Sequence, residues 1–439
     1  MRSLGTTALG RVAKERACPP EDPLSHRTRR RVAFYSHDTQ GLGHVRRNIE
    51  LASAMIAAHP ATDVLLIGSA TAAARLALPP STRLVVLPGV TKDRRGGYAA
   101  ARLDMTLDEV IAVRSDMAAV ALRSFAPDVF VVDKLARGLG GELDQSLRVL
   151  ADSRGPGGAR PRVVLGLRDV LDRPGVARAE WDAALTTETL MQHYDEVWVY
   201  GDPQVYDPVR EYDLPRPVGA MVHYTGYLAD GRGGLEPTAD MSVPSTSMST
   251  ARTKSRPYVL CLVGGGQDGA GLARTFAATP VPAGHDAVLV TGPYMDAAQR
   301  GFLHGAADHR LELTVHMFLD DPASLIHGAA AIVSMGGYNT VCEVLASRRP
   351  GLVVPRVRPR MEQAIRLDRL SRLTHLEQVH PERATPARIA AWLRDAVRRP
   401  HHPHHPHAVD LDGLATVPVL LEDLLSRSAA PLEVGRASA

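Results

Sequence analysis

The chain has 439 residues, of which 45% are hydrophobic and 23% are charged, a composition typical of globular proteins. Because a single hydrophobic core stops growing at roughly 250–300 residues, this length predicts two domains. The formal net charge is only +3, which argues against the dense basic surface that binds a nucleic-acid backbone. We therefore expect no nucleic-acid partner.

The cysteines and the apolar runs indicate the compartment. Cys18, Cys261 and Cys342 are far apart and lack the spacing of a metal site, as expected in a reducing cytoplasm. No apolar run is long enough to span a membrane, and the basic N-terminus is not followed by the apolar stretch of a secretory signal. These features predict a cytoplasmic protein and leave peripheral contact with a membrane open.

The first part of the chain has the pattern of an α/β domain. Residues 1–30 are polar and lack sustained periodicity, which predicts a disordered leader. Over 31–231, short Val/Ile/Leu runs alternate with helical patterns, as in a parallel sheet covered on both faces. Strands are predicted at 32–35, 64–67, 84–87, 129–132, 163–167 and 197–200, with helical stretches around 106–124 and 181–193.

A second α/β unit follows a stretch rich in Gly, Ser, Thr and Pro at 232–256, which we interpret as an interdomain linker. This second domain is predicted over 257–398, and 399–439 is predicted to be a His/Pro-rich loop followed by a C-terminal helix and tail. Its strands are predicted at 258–263, 287–291, 311–315, 331–334 and 351–354.

The tail contains a histidine tract at 401–407, with the sequence His-His-Pro-His-His-Pro-His. Clustered histidines can bind a transition metal. However, the prolines interrupt any helical spacing and no acidic partner is fixed nearby, so we favour a solvated low-complexity loop.

The first candidate site is a loop that follows the first predicted strand, where Gly41, Gly43 and His44 lead into a helix. Glycines let a backbone approach a ligand closely, and a helix N-terminus favours negative charge. His44 has the side chain best suited to accept a proton near neutral pH, and the alternative is that it caps the helix. The loop is not GxGxxG, and residues 67–69 supply no ribose-binding acid, which argues against an NAD(P)H oxidoreductase.

A second loop, after the strand at 258–263, contains Gly264, Gly265, Gly266 and Gln267. Its amides are predicted to form an anion nest, because there is little side-chain bulk to hold a phosphate away. The alternative is a plain turn.

The most specific motif runs from 334 to 343. A strand ends at Ser334, Gly336 and Gly337 turn the chain, and a helix containing Thr340 and Glu343 begins. The free amides of this turn face the same edge as the 264–269 loop. The Glu343 carboxylate can accept two hydrogen bonds from a ribose diol, and the alternative is an exposed helical glutamate.

Glu362 and Gln363 follow the predicted strand at 351–354 and a basic stretch. Carboxylate and amide groups at the carboxyl end of a strand suit the hydroxyls of a sugar, although a surface loop has a similar composition.

Together these residues resemble the donor domain of glycosyltransferase family 28. The resemblance rests on the pattern Ser334-x-Gly-Gly-x-x-Thr340-x-x-Glu343, with Val-Val-Pro at 353–355 and Glu-Gln at 362–363. It covers most of 31–395 and is more specific in the C-terminal half. The whole chain is most similar to a group of predicted bacterial glycosyltransferases that share the Ser-His-Asp of 36–38 and the Val-Asp-Lys of 132–134.

This resemblance implies an α/β protein of the GT-B fold, in which two Rossmann-like, doubly wound parallel-sheet domains face a cleft. It also implies an inverting, metal-independent transfer of a hexose from a nucleoside-diphosphate sugar, with UDP favoured over dTDP, and no cofactor. The acceptor hydroxyl would belong to a lipid-linked molecule, a sugar or a small molecule. Alternatives are a nucleotide-sugar epimerase or hydrolase of the same fold, or a non-catalytic nucleotide-sugar binding protein.

The resemblance further implies a role for each motif. Amides of 264–269 and 334–338 would hold the phosphates, Leu319 the base, Glu343 the ribose, and the 362–363 pair the sugar. His44 would deprotonate the acceptor. The acceptor-side candidates lie where strands of the N-terminal half end, and they are Gly41, Gly43, His37, Asp133, Lys134 and Arg168. The residues that follow the strands at 129–132 and 163–167, which include Asp169, could instead contact a phosphate, and the further alternative is an ordinary salt bridge.

Overall fold

We describe the fold from a computed structural model over residues 29–37, 43–69, 76–92, 98–100, 104–154, 159–232, 256–317, 322–399 and 408–429. Some of the sequence predictions lie outside these residues. They are the leader up to residue 28, the linker from 233 to 255, Gly41, Leu319 and the histidine tract at 401–407. These stay predictions.

The strands lie in two parallel sheets and one small antiparallel ribbon formed by β4 and β5. In chain order they are β1 (Arg30–Tyr35), β2 (Thr62–Gly68), β3 (Thr82–Val86), β4 (Val90–Lys92), β5 (Tyr98–Ala100), β6 (Val129–Asp133), β7 (Arg162–Arg168), β8 (Glu196–Tyr200), β9 (Val222–Tyr224), β10 (Tyr258–Leu262), β11 (Asp286–Val290), β12 (Leu313–His316), β13 (Ala331–Met335), β14 (Gly351–Val354) and β15 (Leu376–Gln378).

Helices separate most of these strands and cover the sheets. They are α1 (Gly43–Ala58), α2 (Leu107–Phe125), α3 (Asp144–Asp152), α4 (Pro174–Ala183), α5 (Thr186–His193), α6 (Pro208–Glu211), α7 (Arg216–Gly219), α8 (Ala270–Ala277), α9 (Ala297–Asp308), α10 (Ala323–Gly328), α11 (Tyr338–Ser347), α12 (Glu362–Leu370), α13 (Pro386–Ala396) and α14 (Gly413–Ala429). None of the helices in the described part of the chain is long and apolar enough to cross a bilayer.

Both sheets have the order of a doubly wound fold. The first runs β3-β2-β1-β6-β7-β8-β9 and the second β12-β11-β10-β13-β14-β15. The chain therefore reverses its direction of winding between β1 and β6, and again between β10 and β13. In open α/β sheets such switch points are where ligands bind, at the carboxyl ends of the strands. The predicted pair of doubly wound parallel sheets is confirmed.

Central strands could be predicted because they are buried on both faces. β6, β8 and β10 are buried along their whole length, which requires the continuous apolar runs visible in the sequence. The strands β9 and β15 at the sheet edges were not predicted, since each has only three residues and is partly exposed. The strand predicted from residue 311 begins at Leu313, because Leu311 is 95% exposed.

The helical stretch predicted at 181–193 is in fact two helices, α4 and α5. They are separated at Leu185, whose backbone is left-handed with φ of 50°. A left-handed residue cannot continue a right-handed helix, so the apolar pattern continues across a break that periodicity alone does not show.

The C-terminal helix α14 returns to the N-terminal half of the molecule. It packs on α1, and Glu422 pairs with Arg30 at the start of β1. The segment before it is joined to the chain after β9, where the Tyr227 amide donates to the Asp410 carbonyl at 2.9 Å. The C-terminal segment from residue 408 thus packs on the N-terminal half of the molecule.

Candidate active site

A cleft of about 280 Å³ lies where the carboxyl ends of the two sheets meet. This volume is near the lower end of the range for small-molecule sites, roughly 300–1,000 Å³. The lining comes from both sheets. The described lining residues are Gly43, His44, Arg46, Arg47, Arg168, Leu262, Val263, Gly264, Gly265, Gly266, Gln267, Asp268, Val290, Gly292, Pro293, Tyr294, Pro322, Met335, Gly337, Tyr338, Asn339, Thr340, Glu343 and Gln363.

The N-terminus of α11 opens into this cleft. The helix begins after Gly337 without a capping side chain, whereas α9 begins at Asp296, whose carboxylate accepts hydrogen bonds from two amides of its first turn. The first amides of a helix have no partner within the helix, and they bind anions when no side chain satisfies them. Tyr338, Asn339 and Thr340 therefore present donors to an anion in the cleft.

The 264–269 loop forms the opposite wall, and its glycines are required by the geometry. Gly266 has a φ of 92°, and a Cβ there would lie 2.3 Å from the Thr291 carbonyl oxygen. Gly292 has a φ of 77°, and its Cβ would lie 2.2 Å from the Gly264 carbonyl oxygen. The Tyr294 amide donates to the Gly265 carbonyl at 3.0 Å, which fixes the two loops against each other. Helix α8 then begins at Ala270, after Gly269, also without a side-chain cap.

Glu343 lies on α11 and borders the cleft with 16% of its side chain exposed. Arg232 Nη1 is 3.8 Å from Glu343 Oε1. The Arg232 Nη2 donates to Asn339 Oδ1 at 3.1 Å, and Asn339 Nδ2 donates to the Gly43 carbonyl at 2.8 Å. This chain of contacts links the Glu343 wall to the start of α1 in the N-terminal half.

The two members of the 362–363 pair have different surroundings. Gln363 borders the cleft, and its Oε1 accepts from the Arg356 amide at 2.9 Å. Glu362 is buried, is held by the Arg356 guanidinium and does not line the cleft. Its Oε2 has no hydrogen-bond partner in the described residues. Arg356 also binds Asp268 of the glycine-rich loop at 2.8 Å, so it connects this loop to the 362–363 pair at the start of α12.

Ser334 and Gly336 lie beneath the surface of the cleft rather than on it. Ser334 is 1% exposed, at the end of β13. A Cβ on Gly336 would lie 2.9 Å from Leu367 and 3.1 Å from Gln363. The glycine therefore allows α12 to approach the turn that leads into α11, and its role is in packing.

On the N-terminal side, His44, Asp133 and Arg47 form a connected group. His44 Nδ1 is 2.8 Å from Asp133 Oδ2. Arg47 Nη2 also lies 3.1 Å from Nδ1. Because a carboxylate only accepts, the shorter contact with Asp133 favours the tautomer that carries the proton on Nδ1 and leaves Nε2 able to accept one. Arg47 Nη2 donates to Asp133 Oδ1 at 2.6 Å and also contacts the other oxygen. Asp133 therefore binds the histidine and the arginine together.

The charge of Asp133 is stabilised although it is 1% exposed. Burial by itself would raise its pKa, but the charges of Arg47 and His44 and the hydrogen bonds from both outweigh burial, so its pKa is lowered. The Arg47 guanidinium lies 5.7 Å from the Tyr200 ring centroid and 5.8 Å from that of Tyr338. A buried, ionised Asp133 can hold the histidine in one tautomer.

The remaining acceptor-side candidates are distributed differently. The His37 ring is buried and its centroid is 4.7 Å from that of His44, so it packs beside the histidine without lining the cleft. Lys134 is half-buried, has a φ of 71° and does not line the cleft either. Gly43 and Arg168 do line it. Of the acceptor-side candidates, some thus line the cleft, and others contact His44 from behind its surface.

Sequence reasoning missed several residues of the site. Arg47 was visible as the residue one turn after His44 on the same helix face. The Gly292-Pro293-Tyr294 loop follows β11 directly, and a turn at the carboxyl end of a strand beside the central one was the available signal. Asn339 was inside the quoted motif but was given no role.

A second, larger cavity adjoins the cleft. It has a volume of about 920 Å³ and runs along α1 and α14. Its apolar lining includes Ile49, Leu76 and Leu414, and it shares Arg46 and Glu343 with the cleft. The cleft therefore continues on its Glu343 side into a wide, largely apolar space.

Within the described residues, no group of three or more His, Cys, Asp or Glu side chains could hold a metal ion. The donors at the cleft are instead amides and guanidiniums, which suit anionic oxygen atoms. Independence from metal stays a prediction.

Solved structures share this architecture. The chain is similar to the glycotransferase of kitacinnamycin, with a TM-score of 0.55 and 16% identity over 91% of this chain and 99% of that one. It is also similar to LpCGTa, solved in complex with UDP, with a TM-score of 0.54 and 15% identity over 92% of this chain and 100% of that one. For CalG4, the calicheamicin glycosyltransferase, the TM-score is 0.52 and the identity 15%, over 92% of this chain and 100% of that one. No protein-family model and no curated protein matches the chain in sequence.

The chain therefore has the GT-B fold, as expected from the sequence. Its neighbours of known structure are glycosyltransferases, and at this level of identity they establish the architecture. The chemistry of this protein has to be argued from its own cleft.

Proposed function

We propose that this protein is a glycosyltransferase that moves a hexose from a nucleoside-diphosphate sugar, with UDP favoured, to an acceptor hydroxyl, by inversion and without a bound metal. One observation carries the proposal. A histidine held by a buried carboxylate faces, across one cleft, the uncapped N-terminus of α11 and a glycine loop that suit a diphosphate.

The C-terminal half would hold the donor. Amides at the start of α11 and in the 264–266 loop would bind the diphosphate, and Glu343 would accept hydrogen bonds from the ribose. Gln363 would contact the sugar, and Glu362, buried behind it, would hold Arg356 in place. As the bond to the sugar breaks, charge develops on the leaving diphosphate, and oriented amides stabilise it without reorganising. LpCGTa, the neighbour solved in complex with UDP, supports a nucleotide of this kind.

The N-terminal half would activate the acceptor. Nε2 of His44 would take the proton of the acceptor hydroxyl as its oxygen attacks the anomeric carbon from the face opposite the leaving group. The resulting imidazolium would be stabilised by Asp133, which already accepts from Nδ1. Asp133 is thereby proposed to position His44 rather than to bind the acceptor.

The test is to incubate the protein with UDP-glucose, UDP-N-acetylglucosamine or dTDP-glucose, with and without a panel of hydroxyl acceptors, and to measure release of the nucleoside diphosphate. Release that requires an acceptor and yields a glycoside of inverted configuration supports the proposal. Release without an acceptor identifies a hydrolase, whereas conversion of the donor into its epimer, without net release, identifies an epimerase. Binding of donor without any turnover identifies a non-catalytic binding protein.

Turnover in the presence of a chelator tests whether the transfer requires a metal ion. Full turnover in an excess of chelator is expected, because amides and arginines would replace the cation at the diphosphate. Activity that is lost with chelator and restored by Mg²⁺ would contradict this part of the proposal.

A further inference from the structure

Arg168 differs from Arg47 and Arg366, the buried arginines beside it. It is the last residue of β7 and it borders the cleft from the N-terminal half. No ion pair joins it to a carboxylate in the part of the chain that the structure describes, and its Nε is buried without a hydrogen-bond partner.

The neighbouring arginines have their carboxylates. Arg47 is bound to Asp133, and Arg366 is bound to Asp169. The same holds further away, where Arg114 and Glu142 are both 0% exposed and paired. A buried guanidinium without a counter-charge is unfavourable, because desolvation is not offset by attraction. The buried arginines of the described residues are thus paired, whereas Arg168, which is partly buried and has a buried Nε, is not.

The surroundings of Arg168 are positively charged. Burial, followed by the charges of Arg47 and Arg366, lowers its pKa to about 10. The side chain is still protonated at neutral pH, and it is repelled by two fixed cations. Glu362 and Asp133 attract it, but these carboxylates are already bound by Arg356 and Arg47.

We propose that Arg168 is an anion-binding residue of the ligand site, and that the ligand places a phosphate or carboxylate oxygen against it. The inference rests on the proposed function and adds a charge requirement to it. An anion at this point would supply the missing counter-charge and would accept hydrogen bonds from the guanidinium. Three sources share this chemistry: the donor diphosphate, the carboxylate of a uronic-acid sugar, and a charged group on the acceptor.

Calorimetric binding to wild type, Arg168→Gln and the control Arg123→Gln, an exposed arginine on α2, separates these sources. The probes are UDP, uridine, UDP-glucose, UDP-glucuronate and inorganic phosphate added to UDP-loaded protein. Because a hydrogen bond to a charged group contributes about 1.5–3 kcal/mol, Arg168→Gln should weaken the relevant ligand by roughly 10- to 100-fold.

A loss for UDP but not for uridine assigns Arg168 to the diphosphate. A loss confined to UDP-glucuronate, with UDP-glucose unchanged, assigns it to a sugar carboxylate. A loss of phosphate binding to UDP-loaded protein assigns it to the acceptor. Each of these results supports the proposal.

Equal affinities of wild type and Arg168→Gln for every probe, when the wild type does bind UDP, would overturn the inference and leave the proposed function intact. If the wild type binds no nucleotide, the proposed function fails as well. Melting temperatures distinguish lost binding from lost folding. Because the substitution removes a repelled cation, the ligand-free Arg168→Gln protein should melt at the wild-type temperature or above it.

Discussion

Arg366 on α12 of the C-terminal half donates from Nε and Nη2 to the Asp169 carboxylate, which follows β7 of the N-terminal half, over 2.6–2.9 Å. Both side chains are 0% exposed. Tyr227 donates its hydroxyl to the same carboxylate at 2.6 Å, and Arg366 Nη1 donates to the Gly336 carbonyl at 3.3 Å. The turn that leads into α11 is thus bonded, through one arginine, to the half that carries His44.

Other pairs repeat this arrangement along α12 and the segment before it. Arg360 binds Glu180 at 2.6 Å and Arg369 binds Glu211 at 3.2 Å, each pair joining the two halves. Both of these pairs are partly exposed and screened by water, whereas the Asp169–Arg366 pair is not. We therefore expect the buried pair to dominate the mutual placement of the halves.

The first prediction concerns this pair. Arg366→Met leaves Asp169 buried without its partner, and the free energy of unfolding should fall by about 3–5 kcal/mol. Denaturant unfolding measures the change. The control is Arg372→Met, which breaks the Asp368–Arg372 pair just after the same helix, with side chains 50% and 67% exposed. That change should stay within about 1 kcal/mol.

Adding Asp169→Leu to Arg366→Met should recover part of the lost stability, because the second substitution removes the uncompensated carboxylate. A loss for Arg366→Met no larger than for Arg372→Met would show that the buried pair does not hold the two halves together.

The second prediction concerns His44. His44→Ala should lower turnover by about 10²–10⁴-fold, because a general base contributes that much, while the dissociation constant of UDP stays unchanged. The control His309→Ala alters an exposed histidine just after α9 that lines neither the cleft nor the second cavity. Steady-state kinetics and UDP titration check both. Unchanged turnover in His44→Ala would remove this histidine from the mechanism.

The third prediction is a pH dependence set by Asp133. Because its pKa in the folded protein is lowered, the ionised carboxylate stabilises the fold at every pH above the ordinary value, about 3.9. This contribution is lost as the pH falls below about 4, towards the lowered pKa. Urea unfolding of wild type and Asp133→Asn should therefore differ more at pH 7 than at pH 3. A difference that is the same at both pH values would contradict the prediction.

The partners of these residues show where sequence reasoning reached its limit. The end of β6 and the start of α1 were predictable from apolar runs and a glycine loop, so His44 and Asp133 were both expected at the same edge. Their direct contact depends on the side-chain rotamers and on Arg47, which local patterns do not give. Asp169 directly follows the candidate Arg168 in the sequence, but its partner Arg366 is 197 residues away in the chain. Contacts between the halves arise only once both sheets have folded and packed.

The donor motif behaved differently, because a turn is a local structure. Gly264, Gly266 and Gly337 follow strands, and their backbone conformations are decided within a few residues. Glu362 shows the limit of the same reasoning, since its position in the motif suggested contact with the sugar, whereas its side chain is buried against Arg356. Which of two adjacent polar residues faces a cleft depends on how α12 packs.

The fourth prediction concerns Glu343. If its carboxylate accepts hydrogen bonds from the ribose diol, Glu343→Gln should weaken UDP by about tenfold, and 2′-deoxy-UDP much less, since one of the two hydroxyls is missing. Wild type should prefer UDP to 2′-deoxy-UDP, and the variant should lose most of this preference. Calorimetric titration of the four combinations measures the coupling. Equal losses for both nucleotides would place the carboxylate away from the ribose.

The fifth prediction concerns the glycine loop. Gly266→Ala places a Cβ 2.3 Å from the Thr291 carbonyl oxygen and 2.9 Å from the Met295 amide nitrogen, both of them backbone atoms, so the loop has to move. Because its amides would bind the diphosphate, we expect UDP affinity to fall by at least about tenfold, with uridine affinity much less affected.

The matched control for the loop is Gly271→Ala, five residues further on in α8, where an added Cβ meets no atom within 4 Å. Alanine is a better helix former than glycine, so this variant should be more stable by roughly 0.5–1 kcal/mol and should bind UDP as the wild type does. Thermal unfolding and UDP titration of both variants check the pair. If Gly266→Ala bound UDP as tightly as Gly271→Ala, the 264–266 amides would not hold the diphosphate. The N-terminus of α11 would then be left as the main source of hydrogen bonds to it.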